Sequence, residues 1–236
     1  MPRFYQPTAL ALKIEIELTD DVFHHACKVL RMEADDEITL FNGKGGEYNG
    51  KLIHADKKRA RVLLSNFNNE NRISSRKIHL AQVFNKGDKM DFVVEKATEL
   101  GVSEITPLFS EHCDVRLSGE RLEKKLSQLR NTVIAACEQC GMNIIPTVHD
   151  AIHFSDWIRA KPCEINLILD PTASGTLSNF IKSNASVSLV IGPEGGFSET
   201  EITQATSSGF NGIQLGQRIL RTETAALSAI SALQFG

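Results

Sequence analysis

Two short segments toward the carboxyl end carry the residue types and spacing that chemistry needs. Ile191-Gly192-Pro193-Glu194-Gly195-Gly196-Phe197 follows an apolar run and leads into Ser198-Glu199-Thr200-Glu201, the S-x-x-E pattern of a capping box at a helix start. Its glycines permit positive φ and close backbone approach to a molecule held at the carboxyl end of a strand, where open α/β sheets bind ligands. The same glycines would equally serve a tight strand-to-helix turn with no ligand. The second segment, Leu215-Gly216-Gln217-Arg218-Ile219-Leu220-Arg221-Thr222-Glu223-Thr224-Ala225-Ala226, also leaves a short apolar run and enters a helix, with Thr222 as its expected N-cap. Arg218 and Arg221 suit anion and phosphate binding, although isolated loop arginines are more often plain solvated charges.

Other motifs are weaker. Gly45 through Lys51 matches the opening of a phosphate-binding loop, but Leu52 stands where Ser or Thr must reach magnesium, and the context is a hairpin. Cys137-Glu138-Gln139-Cys140 lies late in a helix with no second ligand pair, so two packed cysteines are expected there. His24 and His25 are adjacent and diverge on a helix. No metal is expected.

Hydrophobic periodicity places these segments in an alternating chain. Lys77–Phe84, Glu104–Phe109, Ile165–Leu169, Val187–Ile191 and Gly212–Leu215 read as strands. Asp88–Leu100, Gly119–Cys140, Ser198–Ser207 and Thr222–Leu233 read as helices, the first two closed by Gly101 and Gly141. That rhythm predicts a mainly parallel α/β sheet. Residues 1–72 read differently, as strands at Lys13–Leu18, Glu37–Phe41, Glu47–His54 and Ala60–Leu64. A helix from Asp20 through Arg31 joins them, with Val22, Phe23, Ala26, Val29 and Leu30 on its apolar side. A small β-barrel domain over 1–72 is expected, then a polar linker from Asn66 to Ser75 and an α/β domain over 73–236.

Composition is that of an ordinary globular protein, 42% hydrophobic and 23% charged. A net charge of −3 gives no cationic body for nucleic acid, and residues 1–72 balance 11 Lys+Arg against 11 Asp+Glu. Any RNA contact must come from local patches. Five irregularly spaced cysteines fit a reducing cytoplasm, and no leader or membrane-spanning stretch is read, so a cytoplasmic location is expected.

Taken together, the G-P-E-G-G turn and the L-G-x-R-I-L-R-T-E-T-A segment resemble the SPOUT superfamily of methyltransferases. More closely, they resemble the family that methylates N3 of a uridine in small-subunit (16S) ribosomal RNA. The likeness extends over Lys86–Asp91, Glu95–Val102, Glu120–Lys125 and Ala136–Gly141, and over Pro2–Tyr5, His25 and Val29–Met32. Met142 stands where the family commonly has a basic residue, and Gln217 is a milder variation.

The resemblance implies a trefoil-knotted α/β domain preceded by a PUA-like RNA-binding domain, with S-adenosyl-L-methionine (SAM) as cofactor. It further implies a homodimer acting on 16S rRNA or the small ribosomal subunit in rRNA processing. Leu169, Gly192, Pro193, Glu194, Gly195, Gly196, Leu215, Gly216, Ile219, Leu220 and Thr222 would line the cofactor site, with Leu215, Gly216 and Leu220 holding the adenine. Arg221 would meet the uracil anion or a flanking phosphate, and Glu194 is the candidate proton acceptor. RNA contacts are expected from Arg3, Phe4, His24, His25, Lys28, Arg31 and Arg218. The basic turn Lys57–Arg61 is read as a solvated hairpin tip. Two alternatives remain: another SPOUT enzyme, such as a tRNA ribose methylase, or a non-catalytic RNA-binding assembly factor.

Overall fold

A computed structural model describes all 236 residues, Met1–Gly236. The chain divides into two compact units: Met1–Ile73 with Cys137–Ile145, and Ser74–Ala136 with Pro146–Gly236.

The first unit is built on a mixed five-stranded sheet in the order β1-β3-β4-β5-β2. Its strands are β1 (Arg3–Tyr5), β2 (Glu15–Glu17), β3 (Glu37–Phe41), β4 (Glu47–Ala55) and β5 (Ala60–Asn68). β1 pairs with β3 in parallel and the other pairs are antiparallel. The register of β4 against β5 shifts between Asn49 and Gly50, where a Cβ would lie 2.4 Å from the Leu63 carbonyl oxygen, so only glycine fits. The core holds Phe4, Ile16, Val22, Phe23, Ala26, Ile38, Leu40, Leu52, Val62 and Leu64.

Three expectations are corrected here. The helix expected from Asp20 to Arg31 is a short α1 (Asp20–Phe23) that continues as a π-helical segment, His24–Val29, and Thr19 rather than Asp20 is its N-cap. Wider π turns change the residue spacing, so Val22, Phe23 and Ala26 are buried while Val29 and Leu30 face solvent. β5 also runs on into the expected linker, as far as Asn68. The residues beyond it are fastened in place: the Asn71 carboxamide accepts the Gly46 amide at 2.6 Å, and Arg72 forks onto Glu47 at 3.1 and 3.3 Å.

That fork belongs to a polar cluster that ties the chain segments of this unit together. The nearly buried Glu47 carboxylate also accepts Arg3 Nε at 3.2 Å, Asn143 Nδ2 at 3.3 Å and Asn68 Nδ2 at 3.2 Å. Arg3 further donates to the carbonyls of Cys137 at 2.7 Å, Gly141 at 3.3 Å and Met142 at 3.1 Å, and to the Asn143 side chain. Its guanidinium lies 3.9 Å from the centre of the Phe41 ring. Cys137–Ile145 meets the sheet through only one isolated bridge, Lys44 with Ile144, and these side-chain bonds fasten the rest of it.

The second unit holds a seven-stranded parallel sheet, ordered β12-β10-β11-β6-β7-β8 with β9 also on β7. Its strands are β6 (Ile78–Val83), β7 (Glu104–Phe109), β8 (Thr147–Val148), β9 (Ile152–His153), β10 (Ile165–Leu169), β11 (Val187–Ile191) and β12 (Asn211–Ile213). β6 and β11 are buried at every position, as strands covered on both faces must be. The helices are α2 (Lys89–Glu99), α3 (Gly119–Cys140), α4 (Phe154–Ala160), α5 (Ser178–Ile181), α6 (Glu199–Ser207) and α7 (Thr222–Phe235). Gly101 ends α2 at φ 82°, where a Cβ would meet Ser74 Oγ at 2.0 Å. Arg76 is buried and donates to the carbonyls of Ala185 at 3.1 Å and Ile181 at 3.3 Å, holding the end of α5 against the start of β11.

No helix is long and apolar enough to cross a membrane. β8, β9, α4 and α5 had no counterpart in the sequence reading.

Candidate active site

Three loops leave the carboxyl ends of the neighbouring strands β10, β11 and β12 and surround one cavity of about 1180 Å³. Every residue named for the cofactor lines it, together with Arg218 and Arg221. Each loop is shaped differently. After β10, the Asp170 carboxylate accepts the Thr172 amide at 2.8 Å and its hydroxyl at 2.7 Å, a local turn of the Asx kind. After β11, Gly196 closes a turn by donating to the Pro193 carbonyl at 3.0 Å. The expected capping box then forms: Glu201 N donates to Ser198 Oγ at 3.2 Å, and Ser198 N to Glu201 Oε2 at 3.0 Å.

After β12, Leu215 to Leu220 run as an open bend whose amides make no hydrogen bond within the chain. Gly216 sits there at φ 83° with nothing within 4 Å of where a Cβ would stand. Unpaired backbone donors and acceptors facing a cavity are what a heterocyclic ring needs for recognition.

Thr222 is corrected from its expected role. Arg221 holds the N-cap position and makes no side-chain cap bond. The Thr222 hydroxyl instead donates to the Gly192 carbonyl at 2.7 Å and accepts Gln82 Nε2 at 3.2 Å. It therefore fixes the second loop to the first turn of α7 and to the end of β6.

Arg218 and Arg221 are exposed with no partner, and Ile219 between them is 86% exposed. Glu194 has a partner the sequence reading missed: Lys89 Nζ donates to Glu194 Oε1 at 2.8 Å. Partial burial pushes this carboxyl up, but the bond from Lys89, the Glu194 backbone amide and the charges of Lys89 and Lys86 push it down further. The net position lies below the usual carboxylate value, so Glu194 is ionised at neutral pH. The signal for Lys89 was present in the Lys86–Asp91 stretch, but nothing local to it points at Glu194. Phe197 and Asp170 also line the cavity; a Cβ on Gly192 would press on the Phe197 ring at 3.1 Å, so the glycine lets ring and loop pack closely.

In the first unit, His24, His25, Lys28 and Arg31 are exposed on and after the π-helical segment, with exposed Val29 and Leu30 among them. Lys28 Nζ donates to the Lys57 carbonyl at 2.9 Å, fastening the segment to the basic hairpin tip. Arg3 and Phe4 are corrected. Phe4 is a core residue at 2% exposure, and the Arg3 guanidinium is committed to Glu47 and three carbonyls. Neither is free for RNA, because a three-residue parallel strand pulls both inward.

The residues of the cavity fit SAM. The open amides of Leu215–Leu220 suit an adenine, apolar Leu169, Ile191 and Ile213 suit its faces, and Asp170 and Glu194 oppose positive groups. The volume exceeds the roughly 300–1,000 Å³ of most small-molecule sites, leaving room beside a cofactor.

Comparison with known proteins agrees with this geometry. The profile of an RNA methyltransferase domain matches residues 72–234, and that of an RNA methyltransferase PUA domain matches residues 18–65. The chain is 37% identical over 235 residues to the ribosomal RNA small subunit methyltransferase E of Buchnera aphidicola (subsp. Schizaphis graminum), covering 99% of this chain and 96% of that one. It is 30% identical to the Bacillus subtilis protein of the same name, covering 92% and 89%. Among solved structures, a Legionella pneumophila methyltransferase in complex with SAM superposes with a TM-score of 0.95 at 41% identity, covering 99% and 96%. The Neisseria gonorrhoeae ribosomal RNA small subunit methyltransferase E bound to SAM gives 0.92 at 38%, covering 99% and 97%. The expected fold class, an α/β methyltransferase domain with an amino-terminal PUA domain, is the one found. By profile, full-length identity and fold, the chain belongs to the ribosomal RNA small subunit methyltransferase E family.

Proposed function

We propose that the protein methylates N3 of a uridine in 16S ribosomal RNA with SAM as donor, acting on the small ribosomal subunit in the cytoplasm as a homodimer. The observation that carries this reading is the single cavity formed by all three loops after β10, β11 and β12, with two unpaired arginines at its rim. When bound, SAM supplies a methyl group already activated by its sulfonium. The harder requirement falls on the nucleophile, since uridine N3 is protonated at neutral pH and attacks only after losing that proton.

Leu215, Gly216 and Leu220 hold the adenine through their backbone groups. Arg221 stabilises the uracil anion or a flanking phosphate, its guanidinium charged at any working pH. Arg218 grips the RNA backbone beside it. Glu194, kept ionised by Lys89, takes the N3 proton on its carboxylate. Residues 1–72 hold more distant RNA through His24, His25, Lys28 and Arg31, and residues 73–236 carry the knotted catalytic domain, with α7 passing through the loop it closes. A homodimer would place this site at the subunit interface.

Nucleoside analysis of treated RNA tests the choice of atom. The expected product is 3-methyluridine; a ribose-methylated or carbon-methylated uridine would overturn it. A non-catalytic assembly factor would have no use for the open, unpaired Leu215–Leu220 loop.

A further inference from the structure

At the amino-terminal ends of β6 and β7, the end of the parallel sheet opposite the three loops, lies a second group of chemistry-bearing residues. His79 is near the start of β6, Glu104 begins β7, and His149 follows β8. The proposed methyl transfer uses none of them. Their ligand atoms all lie within 4.8 Å of one another. Glu104 Oε2 stands 3.7 Å from His79 Nδ1 and 2.7 Å from His149 Nε2.

We propose that His79, Glu104 and His149 bind one zinc-like divalent cation, with solvent in the remaining position. Zinc takes nitrogen and oxygen ligands at about 2.0–2.2 Å in a tetrahedron, which puts neighbouring ligand atoms about 3.4 Å apart. The observed separations of 3.7 and 2.7 Å bracket that value. Two imidazoles and one carboxylate are a ligand set that zinc uses, and their N/O character disfavours soft copper(I).

Three further features support a prepared site. His79 Nε2 is 2.8 Å from Thr106 Oγ1, and a bond donated there leaves the Nδ1 lone pair turned toward Glu104. With Nε2 as the donor, the Nδ1 lone pair faces the Glu104 carboxylate oxygen at 3.7 Å, beyond hydrogen-bond reach, and a cation between them would satisfy both. The His79 ring is locked by an edge contact with Trp157 at 4.6 Å between centroids, and it stacks on His149 at 5.1 Å. The His149 amide donates to the Ile105 carbonyl at 2.9 Å, fixing the third ligand's backbone to β7. A cation here would staple the short edge strand β8 to β7 and β6. The ligands come from three distant stretches of chain, so no local motif announces them, and the proposal reverses the sequence expectation of no metal.

Cobalt(II) titration of the full chain tests this, because tetrahedral cobalt has intense visible bands and thiolate ligands add a separate near-ultraviolet band. The expected result is one equivalent bound, with visible bands and no thiolate band, displaced by zinc, and a melting temperature that zinc raises. The partly exposed His149→Ala and Glu104→Gln variants should each bind about 100-fold or more weakly, with SAM binding retained as the check on folding. Failure of the parent chain to take up cobalt, uptake with a thiolate band, or uptake that His149→Ala leaves unchanged would each overturn the proposal.

Discussion

The Thr222 hydroxyl donates to the Gly192 carbonyl at 2.7 Å and accepts from Gln82 at 3.2 Å. One buried side chain thus joins the loop after β11, the start of α7 and the end of β6. This tie fixes one wall of the cavity, whereas the amides of Leu215–Leu220 on the facing loop make no hydrogen bond within the chain.

Thr222→Val keeps the side-chain shape and removes both bonds. Leaving the Gln82 amide and the Gly192 carbonyl unpaired should cost about 1–3 kcal/mol, read as a lower urea midpoint with unchanged slope. SAM affinity should fall about tenfold, the equivalent of about 1.4 kcal/mol of lost loop order. Wild-type stability and affinity in this variant would show that the tie is incidental.

Arg221 is exposed at the cavity rim and has no partner. Arg221→Ala should therefore fold normally and bind SAM with wild-type affinity, yet lose about 10²–10³-fold in kcat. Steady-state transfer assays beside calorimetric SAM titration separate the two effects. Full turnover with intact SAM binding would remove Arg221 from the mechanism.

The Lys89–Glu194 pair sets a pH dependence. With its pKa held below the ordinary carboxylate value, Glu194 stays ionised into mild acid and is lost as a base only as pH falls through that lowered value. Lys89→Met removes the principal downward influence and leaves burial, which acts upward. The acid limb of kcat/KM should then move to higher pH than in the parent chain. An unmoved limb would mean that Glu194 is not the group that accepts the proton.

Stability in acid should centre on Glu47. Burial raises this carboxyl, but the hydrogen bonds from Arg72, Arg3 and Asn143 outweigh it and leave its folded value below the unfolded one. Its contribution is thus present above the ordinary carboxylate range and is lost as pH falls through the folded value. Glu47→Gln leaves Arg3 short of its buried counter-charge and should cost about 3 kcal/mol at neutral pH. The difference between the variant and its parent should shrink on acidification, as urea melts at several pH values would show.

Much of the α/β unit was legible because its signals are local. The strands Ile165–Leu169 and Val187–Ile191 read as plain apolar runs, Glu104–Phe109 reads as a strand beside them, and Gly141 at φ 87° marks the end of α3. Ser198 and Glu201 form the capping box their spacing predicts. What failed was non-local. Arg3 and Phe4 looked free because a three-residue strand has no periodicity, and its parallel partner β3 begins more than thirty residues on. The π-helical segment defeated an argument built on a 3.6-residue repeat and turned Val29 and Leu30 outward. Lys89 meets Glu194, and His79 meets Glu104 and His149, only because parallel strands bring remote segments side by side.

The most direct measurement is transfer of labelled methyl from SAM to small ribosomal subunits that lack the modification, run with the parent chain and with Arg221→Ala. Label in the 16S RNA with the parent chain, reduced at least a hundredfold in the variant, is the predicted result. SAM binding without transfer to any small-subunit RNA would contradict the proposed substrate. Absence of both binding and transfer would contradict the assignment of the three-loop cavity itself.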